Sequence, residues 1–335
     1  MNDQYLGKAR LDSSGRIEEF RTYLQQSAPE IDGKACVYAT GSYGRLEAGP
    51  RSDLDVFIVV DEIMDKGTLK HVLNGIDEIK LKAKLINLTE HFRIPKFDGS
   101  GRFMSGHSIN SLVTHLGSSE DDYRNILTAR MLLLLESRPL EGLLVYNKVL
   151  DLVIDRYFAD FKGHEDSFRP TFFINDISRM WRTFCVNYES KRKNSDSSRQ
   201  KIKNLKLKFS RMLTCYSAII YMHAIYARNG SVSPNDAQQM VRISPTERIE
   251  SLPILCQTSS RSDRILEICQ SCTGLYSSFL ELVHKSDRAA AKQYKANEVM
   301  WQEKSYQFGQ LLADLIDEIG SISPAGRKMS RLILI

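Results

Sequence analysis

Two kinds of hydrophobic pattern follow each other along the chain, and the change falls near residue 118. In the first part, short apolar runs have the length and β-branched content of buried strands. Between them, apolar residues recur at the 3.6-residue spacing of amphipathic helices. The predicted elements are a helix capped at Ser13 or Ser14, strands over 34–40 and 56–60, a helix over 67–93 and a third strand over 102–109.

The second part shows helical spacing throughout and no strand-like alternation. The predicted helices cover 119–142, 143–161, 174–191, 199–228, 244–255, 262–283 and 290–319. The sequence therefore predicts an α+β protein in which a small mixed-sheet domain is followed by an all-α helical bundle. We place the first domain, with its N-terminal helix, at residues 1–118 and the bundle at residues 119–335.

Composition is that of an ordinary globular protein, with 335 residues, 42% hydrophobic and 26% charged. No apolar run approaches membrane-spanning length and no signal-peptide layout opens the chain, so we expect a cytoplasmic protein without a membrane partner. Six scattered cysteines are typical of reduced core residues. Cys269 and Cys272 have redox or zinc spacing, but a helical setting without a second ligand pair favours two neighbouring core thiols.

The stretch from Thr40 to Val60, TGSYGRLEAGPRSDLDVFIVV, combines a Gly-Ser pair with two aspartates that precede a buried strand. Gly41 lets the backbone approach an anion closely. Asp53 and Asp55 are two residues apart, so on a strand both carboxylates project to one face, where they can hold Mg²⁺ beside substrate phosphates. Taken singly, each part also suits a plain turn or a solvated loop end.

This stretch resembles the signature of the polymerase-beta-like nucleotidyltransferase superfamily, which reads Gly-Ser, Gly-Arg in many bacterial members, and then Ser-Asp-x-Asp. The matching positions are Gly41, Ser42, Gly44, Arg45, Ser52, Asp53 and Asp55. In style the loop looks most like the bacterial PII uridylyltransferase-like group. The resemblance implies an NTP substrate bound at the Gly-Ser loop and Mg²⁺ or Mn²⁺ held by the two aspartates.

The superfamily also requires a third carboxylate, usually on a strand beside the Asp-x-Asp strand. Residues 103–109 contain no acid, although Gly106-His107-Ser108 is similar to a segment of the uridylyltransferase group. Asp98, on a glycine-rich turn, is the nearest candidate for this catalytic role. His107 has a side chain suited to proton transfer near neutral pH, and a structural hydrogen-bonding role is the alternative.

Positive charge is concentrated between residues 178 and 211, where eleven basic residues face two acidic ones, a net charge of +9. Such a segment attracts nucleotide triphosphates or an RNA backbone, and a solvated loop between two helices is the alternative. Helical domains in this superfamily commonly supply basic residues for the triphosphate. By that implication the candidates here are Arg179, Arg182, Lys206 and Lys208.

Together these features predict a Mg²⁺-dependent nucleotidyltransferase that transfers a nucleoside monophosphate from an NTP to a hydroxyl of an acceptor protein or RNA. Two alternatives remain open at this point. One is a catalytically inactive regulator that binds nucleotide or RNA. The other is a toxin or phage-defence enzyme that uses the same chemistry on tRNA or a cellular protein.

Overall fold

A computed structural model of the chain describes residues 3–27, 31–97, 104, 106–191 and 198–334. The contacts divide the chain into two compact units, the first formed by Gly7–Arg156 and the second by Met1–Leu6 with Tyr157–Ile335. The first unit contains the β-structure and the second is helical. The predicted α+β class is therefore confirmed.

Among its described residues, the sheet unit contains six strands and seven helices, of which the first and the last extend slightly beyond the unit. The strands are β1 Ala35–Thr40, β2 Asp55–Val60, β3 Glu62–Asp65, β4 Thr68–His71, β5 His107–Ser108 and β6 Arg138–Glu141. The helices are α1 Asp3–Ser27, α2 Gly41–Gly44, α3 Gly75–His91, α4 Ile109–Thr114, α5 Ser119–Tyr123, α6 Ile126–Glu136 and α7 Leu143–Tyr157.

Strand β1 lies at the centre of a four-stranded sheet with the order β5-β2-β1-β6. It runs antiparallel to both β2 and β6, whereas β5 runs parallel to β2. The pairing of β1 with β2 joins Ala35 to Val60 and Thr40 to Asp55. The last residue of β1 therefore lies beside the first residue of β2, which brings the Gly-Ser loop to the aspartates.

Alternate residues of the two central strands pack against helices on opposite faces, as the two-residue period requires. On one face Val37 and Ile58 join a core that includes Phe20 of α1 and Leu85 of α3. On the other face Tyr38 stacks on Phe57, with ring centroids 5.7 Å apart. The Tyr38 hydroxyl donates to the Ala129 carbonyl oxygen of α6 at 3.4 Å. Asp55 belongs to this second face, since it lies opposite Thr40, two residues beyond Tyr38.

The predicted helix over 67–93 begins later than expected, because β3 and β4 form a separate two-stranded hairpin before α3. The hairpin turns at Lys66 and Gly67, whose φ angles are +48° and +81°. Two successive positive φ values are typical of the turn that suits the right-handed twist of a hairpin. Asn74 then caps α3 by accepting a hydrogen bond from the Asp77 backbone N–H at 2.9 Å.

Two other expectations for the first part also change. Ser13 is not a helix cap, since it lies inside α1 and donates to the Ala9 carbonyl oxygen at 2.7 Å. The predicted helix over 119–142 is two helices, α5 and α6, followed by strand β6. Because β6 pairs with β1, residues 119–156 group with the sheet, whereas we expected a boundary after residue 118.

The helical unit has nine further α-helices among its described residues. The first eight are α8 Thr171–Lys191, α9 Ser198–Lys206, α10 Met212–Asn229, α11 Pro234–Arg242, α12 Pro245–Leu255, α13 Ser262–Val283, α14 Asp287–Ala296 and α15 Glu298–Gly320. The ninth is α16 Pro324–Leu334. A π-helical segment, Leu207–Arg211, joins α9 to α10. Its Phe209 is fully buried and stacks on Phe279, with centroids 4.6 Å apart.

Helices α11 and α16 were not predicted. Ser233 begins α11 through a reciprocal capping box with Asp236, and a proline follows it. Helix α16 packs on α10, where the buried His223 ring nitrogen Nε2 lies 2.9 Å from the Gly326 carbonyl oxygen. Among the residues that the structure describes, no helix has both the length and the apolar character needed to cross a bilayer.

The six cysteines are free thiols, and five of them are buried. Burial raises the pKa of the Cys269 thiol to about 12. Cys269 and Cys272 both lie on α13 in the core of the helical unit. They are therefore neutral core side chains at physiological pH.

Candidate functional site

The loop after β1 makes a single helical turn, α2, that begins and ends at a glycine. Gly41 has a φ of +65°, a conformation that costs other residues about 1–2 kcal/mol. At Gly44 a Cβ atom would lie 1.9 Å from the Glu136 carbonyl oxygen and 3.0 Å from that of Ala39. Gly44 therefore allows the turn to press directly against the end of α6.

Asp55 lies directly over Gly41. A Cβ atom added at Gly41 would meet the Asp55 Oδ2 atom at 2.6 Å, inside van der Waals contact. The absence of a side chain at Gly41 is thus what lets the carboxylate rest against the loop backbone. Gly41 of the Gly-Ser loop and Asp55 therefore lie next to each other, as we expected from the sequence.

Asp53 is exposed and lies two residues ahead of β2, not within the strand. It follows a tight turn in which Ser52 accepts a hydrogen bond from the Gly49 backbone N–H at 2.9 Å. The Ser52 N–H donates in return to the Gly49 carbonyl oxygen at 3.0 Å. We expected Ser52 to bind the substrate. In the structure its hydrogen bonds with Gly49 close the turn that precedes Asp53.

Arg45 is buried in an ion-pair triad beneath the loop. Its Nε atom lies 2.5 Å from Glu47 Oε1, and its Nη1 atom lies 2.7 Å from Glu136 Oε2. The other carboxylate oxygen of Glu136 accepts a hydrogen bond from the Gly41 backbone N–H at 3.1 Å. Glu136 thus holds both ends of the loop. This geometry favours a positioning part for Arg45 over the direct contact with a nucleotide that we expected.

The loop is fastened to α1 as well. The Ala48 backbone N–H donates to the Ser13 hydroxyl oxygen at 2.7 Å, and both residues are buried. A serine in the middle of a helix has this capacity because its own hydroxyl proton satisfies the carbonyl oxygen four residues earlier. Residues 41–48 are therefore held from two sides, by α6 and by α1.

Neither Ser13 nor Glu136 was among the candidate residues from the sequence. A lone carboxylate at the end of the apolar run LLLLE was the available signal for Glu136, since a buried glutamate is almost always paired. No local signal marks Ser13. Its partner Ala48 is 35 residues away along the chain.

The candidate third carboxylate, Asp98, lies outside the described residues. Among the residues that are described, no group of three or more His, Cys, Asp or Glu side chains is arranged to hold a metal ion. His107 pairs with Val59, four residues along β2 from Asp55, or roughly 13 Å at the usual strand rise. Burial lowers the pKa of His107, so its ring is neutral at pH 7 and packs against Phe57.

The four basic candidates all belong to the helical unit. Arg179 is half-buried and lies 3.5 Å from Asp176, which also accepts a 2.6 Å hydrogen bond from the Tyr157 hydroxyl. Arg182, one turn further along α8, is exposed. Their contact with a triphosphate stays a prediction.

Lys206 and Lys208 mark the junction of α9 with the π-helical segment. Lys206 is the exposed last residue of α9. The Lys208 Nζ atom lies 4.4 Å from the centre of the Tyr306 ring. Their predicted part in NTP binding is likewise untested by these contacts.

Comparison with known proteins agrees with the geometry of the loop. A family model described as "Nucleotidyltransferase domain" matches residues 17–101. No curated protein and no solved structure matches the chain. The matched range contains residues 17–27 of α1, the glycine loop, both aspartates and the hairpin. Residues 17–101, about a quarter of the chain, are therefore similar to a nucleotidyltransferase domain.

Proposed function

We propose that this protein is a Mg²⁺-dependent nucleotidyltransferase that transfers a nucleoside monophosphate from an NTP to a hydroxyl group of a protein or RNA acceptor. The observation that carries the proposal is the contact between Asp55 and the backbone at Gly41. This contact places a carboxylate, a preferred ligand of Mg²⁺, beside a glycine backbone that a phosphate group can approach closely. A bound triphosphate and its metal ion would meet there.

The donor set fits Mg²⁺ in its chemistry. Asp53 and Asp55 offer hard carboxylate oxygens, and Mg²⁺ is usually bound through one or two carboxylates while substrate phosphates and water complete its octahedron. These two residues would hold the ion. When bound, the metal would neutralise charge on the phosphate oxygens as the bond to pyrophosphate breaks.

The protein's own residues would position the substrate. The loop from Gly41 to Gly44 would hold the triphosphate through its backbone, since a side chain at either glycine would collide with Asp55 or Glu136. The acceptor hydroxyl attacks the α-phosphorus, the bond from that phosphorus to the bridging oxygen breaks, and pyrophosphate leaves. We propose Asp98 as the acceptor of the hydroxyl proton.

The finer assignments belong to this proposal too. Ser42 would contact the phosphates, Arg45 would set the loop, and Arg179, Arg182, Lys206 and Lys208 are the candidates for the triphosphate charge. Kinship with the PII uridylyltransferase-like group, use of Mn²⁺ in place of Mg²⁺, and a cytoplasmic location are further expectations. All rest on the sequence motif and the domain match.

The test is incubation with each α-labelled NTP and Mg²⁺ or Mn²⁺ in extract of the cognate cells, followed by identification of the labelled product. The Asp53→Asn and Asp55→Asn variants should each abolish labelling while the fold persists. Asp12→Asn is the matched control, because Asp12 is an exposed carboxylate on α1. It should label as well as the wild-type protein.

Two outcomes would count against the proposal. Labelling that survives both aspartate variants would place the chemistry elsewhere. Tight NTP binding without any labelled product, under all metals and nucleotides, would favour the inactive regulator. If the labelled product is a tRNA or a cellular protein, and its modification arrests growth, the result would support the defence alternative, which uses the same chemistry.

A further inference from the structure

The helical unit presents a basic face that extends beyond Lys206 and Lys208, the two triphosphate candidates that lie on it. From Ser198 to Arg211 the chain has six basic residues and no acidic one. Lys201 forms an ion pair with Glu298 at 2.7 Å. Lys203 and Lys206 are exposed and make no ion pair within the part of the chain that the structure describes. With Lys208 they form what we call the basic face.

The π-helical segment fixes the orientation of this face. Phe209 is buried between Phe279 and Phe308, with ring centroids 4.6 and 4.7 Å away. The wider turn lets Phe209 enter the core while its neighbour Lys208 points to the surface of α15. Segments of π-helix are found frequently at functional sites, since they are rarely retained where an α-turn would serve.

Tyr306 of α15 provides the second, independent feature. Its side chain is 71% exposed, although a tyrosine normally buries most of its ring. Lys208 Nζ lies 4.4 Å from the ring centre. The lysine thus rests on an aromatic ring, where it keeps its charge available for an anion.

An exposed aromatic ring beside three lysines suits one kind of partner. Phosphate groups pair with the lysines, and an unpaired base stacks on a tyrosine whatever its identity. In a duplex the base faces are covered by their neighbours, and the carboxylates of an acidic peptide offer no aromatic ring to stack on Tyr306. The exposed carboxylate of Glu303, one turn before Tyr306 on α15, would repel phosphate groups. The phosphate backbone of the ligand would therefore lie along α9.

We propose that Lys203, Lys206, Lys208 and Tyr306 bind a single-stranded nucleic acid. The inference deepens the proposed function, since it names the class of the acceptor, and it rests on that function only for the acceptor role. Binding itself needs no NTP. It can therefore be measured separately from transfer.

The experiment is fluorescence titration of the full chain with single-stranded RNA and DNA oligomers of mixed sequence at several salt concentrations. Replacing the three lysines together by glutamine should reduce the slope of log affinity against log salt by about 2, from about 0.7 per lost phosphate contact. Tyr306→Leu should weaken binding about 5- to 150-fold, as expected for one lost stacking contact, with the slope unchanged. A difference between RNA and DNA identifies the natural strand.

The matched control replaces three other exposed cations of the same unit, Lys162, Lys328 and Arg331, by glutamine. It makes the same change in net charge and should alter the slope far less. Equal effects of the two triple variants would overturn the proposal, since net charge alone would then explain binding. Equal binding of duplex and single strands, or no loss in Tyr306→Leu, would overturn it as well.

Failure of this inference is distinguishable from failure of the proposed function. The Asp53→Asn variant should bind the oligomers as tightly as the wild-type protein, because it retains the basic face. If labelling proceeds but the lysine variant binds and transfers normally, the inference fails alone. If binding behaves as expected but no NTP is ever transferred, the surface stands and the enzymatic proposal fails.

Discussion

Replacing Gly41 by alanine tests whether the loop and Asp55 act as one site. The new methyl group would meet Asp55 Oδ2 at 2.6 Å, so the carboxylate must retreat to at least 3.4 Å, a displacement of about 0.8 Å. Gly33→Ala is the matched control. Gly33 has a φ of +71°, close to the +65° of Gly41, but its added methyl group would meet nothing within 4 Å.

The two variants share the backbone strain and differ in the collision. A left-handed alanine costs about 1–2 kcal/mol of unfolding free energy in each. Gly41→Ala adds the displaced carboxylate, worth about 0.5–1.5 kcal/mol for a rotamer pushed off its minimum. Catalysis should suffer more, since a shift near 1 Å in a reacting group lowers rates about 100-fold.

Two measurements check this reasoning: urea denaturation of both variants, and NTP-dependent labelling in the extract assay. We expect Gly33→Ala to lose stability and keep its labelling rate, while Gly41→Ala loses labelling by at least about 100-fold. Equal loss of labelling in both variants would mean that strain, and not the Asp55 contact, is responsible. Full activity in Gly41→Ala would refute the assignment of this loop.

Three further outcomes concern buried charge. Arg45→Met should destabilise the fold by about 3–5 kcal/mol, measured by urea denaturation, because Glu136 loses its buried partner. Burial, which outweighs the opposing effect of Lys84, raises the pKa of Glu141 to about 7. The folded state therefore binds the extra proton between pH 4.5 and 7, so the stability of Glu141→Gln relative to wild type should rise by about 1–2 kcal/mol over that range and then level off. Burial lowers the pKa of His223 to about 4, so protonation favours the unfolded chain. Wild-type stability should fall by up to about 3 kcal/mol from pH 6.5 to 4, and His223→Gln should lack this loss in the same pH series.

The sequence pattern predicted the features that depend on residues close together along the chain. The apolar runs around Thr40 and Asp55 were enough to predict two paired strands, and glycine chemistry was enough to bring the loop to the second aspartate. The buried ion pair between Arg45 and Glu136 beneath the loop could not be predicted, because the two residues are 91 positions apart in the sequence. Nothing near either residue identifies its partner.

The two misread regions have different causes. The hairpin at residues 62–71 is largely exposed on both faces, so its strands lack the alternation that a half-buried strand shows. Lys66-Gly67 was a usable turn signal. Strand β6, by contrast, is four residues long and includes Pro139. A proline of this kind is tolerated at a sheet edge, and its pairing with β1 depends on a long-range contact that no local propensity predicts.

The place of β6 in the sheet has a consequence for how the protein is made. On the ribosome, β1 and β2 emerge together, but 78 residues separate Val60 from Arg138. At bacterial or eukaryotic elongation rates of about 5–20 residues per second, one edge of β1 would wait about 4–16 s for its partner. All six residues of β1 are buried in the finished protein. During synthesis this apolar edge is therefore a target for chaperones and for aggregation, and a fragment ending before residue 138 would keep it exposed for good.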